Sequence, residues 1–271
     1  MELTFLPYKN CCSTALLLFC SIKKLLLRCS TALLLYLCLA AQTYAFNIPE
    51  KLIYDLTWTG IKAGEAVLEI KDGGDYLTIL STARSAKWVS VFYKVDDRVE
   101  SRVSKKGTTQ GTDKPSLGHS INYRLKIREG RHRKDKEVIF ELNNSRAIYI
   151  DYLGKERREF EIPFPIFDPL SSFYYLRRLN LEVGRSVYVT IFDSKKVWDV
   201  EVQVLRKERV EVPAGEFDTI VIKPLMKSEG IFYRKGEIFI WLTDDEKKIP
   251  VKLQTKVKIG SIYANLSGGQ F

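Results

Sequence analysis

The stretch VWDVEVQVL, residues 197–205, alternates apolar and polar side chains along its whole length. Successive side chains of a β-strand point to opposite faces, so this pattern predicts a strand with one buried and one solvated face. The predicted buried face consists of Trp198, Val200, Val202 and Val204, and the solvated face of Asp199, Glu201 and Gln203. The segments GEAVLEI, EVIFEL and VKLQTKVKI have the same period.

Short turn-forming segments separate these predicted strands: KDGGD (71–75), REGR (128–131), NNS (143–145), DSKK (193–196) and PAGE (213–216). Their spacing predicts antiparallel hairpins in a curled sheet or barrel of roughly a dozen strands. FDTIVI (217–222) and IFIW (238–241) are apolar on both faces, which predicts that they lie between the sheet and another element. The predicted fold class is therefore mainly β.

The segment DPLSSFYYLRRL, residues 168–179, is predicted to form the main α-helix. Asp168 is a suitable N-cap, and Pro169 is favoured at the first helical position. One face would present Leu170, Phe173, Tyr174 and Arg177, so we expect the helix to pack on or inside the sheet. A second, short helix over SAKWVSVFY (85–93) is also predicted, although this segment would suit a strand as well.

Residues 1–45 have the composition of a secretory signal peptide. Basic residues precede the apolar run CSTALLLYLCLAA (29–41), and the small residues that follow predict cleavage after Ala45. The run is short for a membrane span, which needs about 20 apolar residues. We expect export across the inner membrane to the periplasm or envelope; the alternative is an uncleaved N-terminal anchor.

The remainder, residues 46–271, is predicted to form a single β-barrel-like domain. All five cysteines lie in the first 38 residues, so this domain would hold neither a disulfide nor a thiol nucleophile.

The acidic pair Asp244 and Asp245 is the most conspicuous candidate for carboxylate chemistry. It lies in TDDEKK between two strand-like segments, and neighbouring side chains on an extended chain point apart. A turn is therefore predicted there, and the same interpretation applies to Asp96 and Asp97. A hydrolase that uses two facing carboxylates, one with a raised pKa, stays an alternative.

Other catalytic motifs are lacking in the sequence. His119 and His132 form no His-x-x-x-His pair, and the chain has neither a Gly-x-Ser-x-Gly segment nor a glycine-rich phosphate loop before a helix. We therefore predict a protein without catalytic residues, metal or cofactor.

Positive charge is concentrated in one predicted hairpin. The chain has a net charge of +10, and residues 98–136 hold twelve basic and four acidic residues. Natural sheet edges often carry such charges to prevent strand association, and the sequence favours this interpretation. The alternative is contact with an anionic membrane surface or headgroup through Arg124, Lys126, Arg128, Arg131, Arg133 and Lys134. A nucleic-acid partner does not fit an exported chain.

Aromatic residues suggest a ligand cavity. A curled sheet of this size encloses more space than its own side chains fill, so it holds a helix or leaves a pocket. The predicted ligand-binding residues are Trp58, Trp88, Phe92, Phe173, Tyr174 and Trp241, for which ordinary core packing is the alternative.

Several segments resemble an uncharacterised family of exported bacterial proteins, the DUF3108 type, a domain of unknown function. They are YDLTWTGIKAGEAVLEI (54–70), FYKVDDRVES (92–101), DPLSSFYYLRRL (168–179), VEVPAGEFDTIVI (210–222) and IWLTDDEKKIPVKL (240–253). The resemblance implies a β-rich, periplasmic or envelope-facing protein, and it implies no activity.

Two non-catalytic functions follow from these features. The first is binding of a lipid or acyl-bearing envelope molecule inside the sheet. The second is an envelope scaffold that binds a protein or glycan partner through an exposed apolar patch; the sequence does not specify a protein partner.

Overall fold

One antiparallel sheet dominates this computed structural model, which describes residues 48–106, 116–193, 195–225, 237–256 and 260–271. Fourteen strands are present in these ranges, which confirms the mainly β fold. They are β1 (Glu50–Trp58), β2 (Ile61–Asp72), β3 (Tyr76–Ser85), β4 (Asp96–Lys106), β5 (Ser116–Glu129), β6 (His132–Glu141), β7 (Arg146–Asp151), β8 (Glu156–Glu161), β9 (Ser186–Asp193), β10 (Lys196–Val212), β11 (Gly215–Leu225), β12 (Ile238–Thr243), β13 (Pro250–Lys256) and β14 (Ser261–Gln270). The helices are α1 (Lys87–Ser90) and α2 (Pro169–Leu176), with a 3-10 turn at Leu142–Asn144.

The strands follow one another as a meander, and the sheet order is β8-β7-β6-β5-β4-β3-β2-β1-β14-β13-β12-β11-β10-β9. Because every neighbour is antiparallel, successive connections alternate between the two ends of the strands. One end holds the β1–β2, β5–β6 and β7–β8 turns together with α1; we call it the α1 end. The opposite end holds the β2–β3, β10–β11 and β12–β13 turns.

The two edge strands, β8 and β9, come close together, although no ladder of hydrogen bonds closes the sheet. The rings of Phe160 and Phe192 lie 5.5 Å apart, and Lys195 Nζ lies 2.6 Å from Glu156 Oε2. The segment between β8 and α2 also joins β9, where the Phe192 amide donates to the Phe167 carbonyl. The sheet is therefore curled and nearly barrel-like.

Helix α2 packs against the inner side of this curl, as the sequence predicted for the main helix. It contacts β3, β4, β5 and β9. Asp168 is its N-cap, with Pro169 in the first turn. Tyr174 and Leu176 are buried in two of the three hydrophobic core clusters.

The alternating segment of residues 197–205 lies in β10, where Val200, Val202 and Val204 are buried as predicted. The TDDEKK segment is a turn between β12 and β13, which confirms the prediction for Asp244 and Asp245. The prediction was wrong for Asp96 and Asp97, because both belong to β4 and pair with Arg84 and Ala83 of β3.

The second predicted helix is much shorter than residues 85–93. Only Lys87–Ser90 is helical, and Asp96 already starts the next strand. Within the described ranges, no helix is long and apolar enough to cross a membrane.

Candidate functional site

The N-terminus of α2 is fixed to the sheet by the carboxylate of Asp168, which is fully buried. Its Oδ1 accepts hydrogen bonds from the amides of Leu170 and Ser171, both at 2.9 Å. Its Oδ2 accepts from the hydroxyls of Ser101 on β4, Ser120 on β5 and Ser171, each at 2.7 Å. Five donors thus satisfy a charge that would otherwise be costly to bury.

The C-terminal end of α2 is fixed by a buried ion pair. Arg177 donates two parallel hydrogen bonds of 2.7 Å to the carboxylate of Glu50 on β1, and it also donates to the Lys247 carbonyl. Both residues are almost completely buried. Burial alone would lower the pKa of Arg177, but the hydrogen bonds and charge of Glu50 outweigh it and raise that pKa.

A cavity of about 280 Å³ lies between α2 and the inner face of the sheet. The helix contributes Leu170, Phe173 and Leu176 to its wall. The sheet contributes mainly aliphatic side chains, among them Leu68, Val189, Val200, Val202, Ile238, Ile240 and Leu253. Tyr54, Ser81 and Ser172 are the polar residues in the described lining, and the Tyr54 hydroxyl is engaged with the Pro250 carbonyl at 2.7 Å.

The cavity occupies the part of the interior nearer the α1 end. On β2, Ala66 and Leu68 line it, whereas Ile70, closer to the opposite end, packs in the solid core. On β13, Leu253 lines it, whereas Val251 packs in that same core. Arg177 and Glu50 lie at the opposite end, where the Arg177 guanidinium also reaches the Lys247 carbonyl in the β12–β13 turn.

The structure does not bring the six predicted ligand-binding aromatics together. Phe173 lies on the cavity wall. Tyr174 faces the buried Arg177, with its ring centroid 5.1 Å from the guanidinium carbon. Trp241 points away from the cavity, because its strand neighbour Ile240 points in and its own Nε1 donates to Glu208.

The other three aromatics, Trp58, Trp88 and Phe92, lie exposed at the α1 end. They lie outside the cavity because they are next to turns, beyond the strand residues whose side chains face the interior. The aliphatic wall was not predicted as a site, although the alternation of residues 197–205 already marked Val200 and Val202 as inward-facing.

The basic hairpin forms as predicted, with Gly130 at the tip between β5 and β6 in a left-handed conformation that favours glycine. The sheet-edge interpretation of its charges was wrong, because β5 and β6 each pair with a strand on both sides. Lys126, Arg128, Arg131 and Arg133 are exposed. Arg124 is engaged in an ion pair with Asp135 and lies 4.0 Å from the Tyr152 ring centroid. Lys134 is half-buried at the edge of the hairpin.

Carboxylate chemistry finds little support in the geometry. Asp244 pairs with Lys207, whereas Asp245 accepts hydrogen bonds within its own turn, so the two carboxylates serve separate partners. Among the described residues, no group of three or more His, Cys, Asp or Glu is placed to hold a metal ion.

Asp97 has the most unusual carboxyl group at the α1 end. Burial raises its pKa to about 6; the charges of Glu129 and Asp96 act in the same direction, and a 2.8 Å hydrogen bond from the Arg128 amide opposes them. Asp97 is half-exposed, so solvent reduces the energetic effect of this shift.

We expect the raised pKa of Asp97 to make the protein more stable in mild acid. Its unfolded pKa is about 3.9, so between about pH 4 and pH 6 the folded state binds more protons than the unfolded state. The stabilisation is complete below pH 4 and is lost as the pH rises through 6. Asp97→Asn should remove about 1 kcal/mol of this pH dependence, measured by urea unfolding from pH 4 to pH 7. Asp199→Asn, at an exposed carboxylate, is the control; an Asp97→Asn curve that parallels the wild-type curve would contradict the assignment.

Comparisons with known proteins agree with this fold. The family described as "Protein of unknown function (DUF3108)" matches residues 53–267. A β-barrel-like protein of the DUF1849 domain of unknown function, from Brucella abortus, is 13% identical with a TM-score of 0.52, and the match covers 83% of this chain and 98% of that one. This similarity shows the fold alone.

Two further solved structures are more distant. One is provisionally described as an exported protein with a YmcC-like fold from Bacteroides fragilis, with 10% identity, 84% and 98% coverage and a TM-score of 0.33. The other is provisionally described as a lipoprotein from Parabacteroides distasonis, with 12% identity, the same coverage and a TM-score of 0.32. No curated protein sequence gives a match. The family match spans most of the chain, which therefore belongs to the DUF3108 family of proteins of unknown function.

Proposed function

We propose that this protein is a non-catalytic, exported envelope protein that binds a lipid-like molecule in the cavity beneath α2. The observation that carries the proposal is the apolar cavity of about 280 Å³. An apolar cavity of about 150 Å³ is enough to bind benzene, and natural ligand pockets begin near roughly 300 Å³. The space therefore suits one hydrocarbon segment.

The wall chemistry favours an aliphatic chain over a polar ligand. The described lining contains no charged side chain, and the Tyr54 hydroxyl already has a protein acceptor. A buried polar ligand would lose its hydrogen bonds to water without replacement, at a cost of roughly 2–7 kcal/mol for each group. A charged headgroup would therefore stay outside this wall, nearer the α1 end.

Native mass spectrometry of the exported protein, purified from the expressing bacterium without detergent, tests the proposal. A discrete lipid bound at a ratio of one to one would support it and identify the ligand class. A clean unliganded mass that does not shift when envelope lipids are added would contradict it and favour a surface-binding scaffold.

Filling the cavity should abolish ligand binding. Ala264 lies on the cavity wall, and Ala264→Phe would occupy much of the space that the hydrocarbon needs. We expect the co-purifying ligand to fall at least about tenfold, since one buried side chain of this size is worth roughly 1.5–3 kcal/mol. Val183→Phe, on the exposed loop before β9, is the matched control. Full ligand occupancy in a folded Ala264→Phe variant would contradict binding at this cavity.

A further inference from the structure

Exposed apolar side chains gather at the α1 end of the sheet. Val91 is 86% exposed, Phe92 66% and Ile61 59%. Trp58, Trp88 and Ile262 are also substantially exposed. These six residues, which we call the apolar rim, come from the β1–β2 turn, the α1 segment and the start of β14.

Contacts within the apolar rim make it one surface. Trp58 pairs with Ile61 across the β1–β2 turn and with Ile262 of β14. Trp88 Nε1 donates to the Lys62 carbonyl at 3.0 Å, and its ring lies 5.9 Å from that of Phe92. Contiguous exposed apolar residues of this kind mark an interaction surface rather than scattered exposure.

The basic hairpin is attached to the same surface. The Gly130 amide donates to the Lys94 carbonyl at 2.8 Å, which joins the hairpin tip to the segment that follows α1. A Cβ at Gly130 would lie 2.7 Å from the Tyr93 ring, so tip and aromatic residue are in close contact. The cations and the apolar rim therefore share one end of the molecule.

The cations at this end are available for a partner. Within the described ranges, these exposed residues form no ion pair: Lys87, Lys94, Lys126, Arg128, Arg131 and Arg133. Three of the nearby carboxylates are already engaged in the ion pairs Asp55–Lys62, Asp96–Arg84 and Asp135–Arg124, and Asp97 and Glu129 are the further carboxylates beside Arg128. The surface thus presents positive charge together with apolar side chains.

We propose that the α1 end docks on an anionic lipid bilayer, with the apolar rim entering the interface and the basic hairpin contacting lipid phosphates. Charge complementarity selects an anionic surface, and tryptophan favours the boundary between headgroups and acyl chains. The strength of interfacial binding rises with the buried apolar area and with electrostatic attraction to anionic lipids, and this end supplies both. The proposal does not depend on a ligand in the cavity, although docking would place the cavity side of the molecule towards the bilayer.

Vesicle flotation with the exported protein tests the proposal. We expect binding to vesicles of phosphatidylglycerol and phosphatidylethanolamine, weak binding to phosphatidylcholine vesicles, and loss of binding in high salt. The charge variant K126Q/R128Q/R131Q/R133Q should bind roughly 600-fold more weakly, because each of its four basic residues near the surface contributes about fivefold. The apolar variant V91S/F92S should bind about tenfold more weakly.

Matched variants remove the same number of exposed cations or exposed apolar side chains elsewhere. K71Q/R185Q/K207Q/R209Q removes four exposed cations outside the α1 end, and V183S/Y188S removes two exposed apolar side chains. Both should bind vesicles as the wild type does. If the control variants lose as much vesicle binding as the α1-end variants do, the proposal is overturned. It is also overturned if the wild type binds no vesicle and a cross-linker at position 91 captures only a protein in cells.

Ligand retention distinguishes this surface from the cavity. V91S/F92S should keep any co-purifying ligand while binding vesicles about tenfold more weakly. Loss of both would show that the substitutions act through the cavity and would overturn an independent docking surface.

Discussion

Replacing Arg177 by methionine is expected to lower the free energy of unfolding by about 3–5 kcal/mol. The substitution leaves the Glu50 carboxylate buried without its two 2.7 Å hydrogen bonds. The Lys247 carbonyl also loses its donor. An unpaired buried charge is costly, and this pair connects the end of α2 to the first strand. Urea unfolding followed by circular dichroism measures the change.

Two further variants show whether the unpaired carboxylate is responsible. Glu50→Leu combined with Arg177→Met removes both charges, so the double variant should be much more stable than Arg177→Met alone. Arg185→Met removes the exposed partner of Glu182 and should change stability by less than about 0.5 kcal/mol. Equal effects of Arg177→Met and Arg185→Met would show that the ion pair is not a structural anchor.

The strands and the main helix were predictable because their signals are local. Asp168 followed by Pro169 marks a helix start in any context, and the alternation in residues 197–205 marks a strand without knowledge of its partners. The anchors of the helix were not predictable in this way. Glu50 and Arg177 are 127 positions apart, and only the curl of the sheet places the first strand beside the end of α2.

The cavity shows the same limit. Grouping residues by aromatic type placed Trp241 beside Phe173, yet the two-residue period of β12 turns the buried Trp241 side chain away from the cavity. The residues that do form the wall are ordinary aliphatic residues such as Val200 and Ile240. Their sequence signal is identical to that of a packed core, so the pattern alone does not mark the space in front of them.

Because a cavity lies beneath the two-turn helix α2, the buried polar contacts at the two ends of α2 have to hold it in place. Contacts that would normally hold the helix are missing where the space lies, and an empty apolar volume costs stability. Six of the eleven buried polar or charged side chains in the described ranges belong to the two ends of α2, around Asp168 and around Arg177. They hold the helix across the interior at the points where it reaches the sheet, so weakening either end should affect the cavity wall as well.

Asp168→Ala is therefore expected to lower the free energy of unfolding by about 4 kcal/mol and to reduce ligand retention. Loss of a helix N-cap costs about 1 kcal/mol, and each buried donor left without an acceptor costs about 1–3 kcal/mol, part of which local relaxation recovers. The hydroxyls of Ser101 and Ser120 would lose this acceptor. Urea unfolding gives the stability, and native mass spectrometry gives the ligand occupancy.

Control variants show whether the loss of stability in Asp168→Ala comes from the buried hydrogen bonds or from the removal of any carboxylate. Asp199→Ala removes an exposed carboxylate that accepts only from Thr190 in the described structure, and it should change stability by less than about 0.5 kcal/mol. Adding Ser101→Ala and Ser120→Ala to Asp168→Ala removes two of the hydroxyl donors that Asp168→Ala leaves without an acceptor. The triple variant should then lose about 0.5–3 kcal/mol less than the sum of its parts. Additive losses would mean that Asp168 acts only as a local helix cap and does not fasten α2 to β4 and β5.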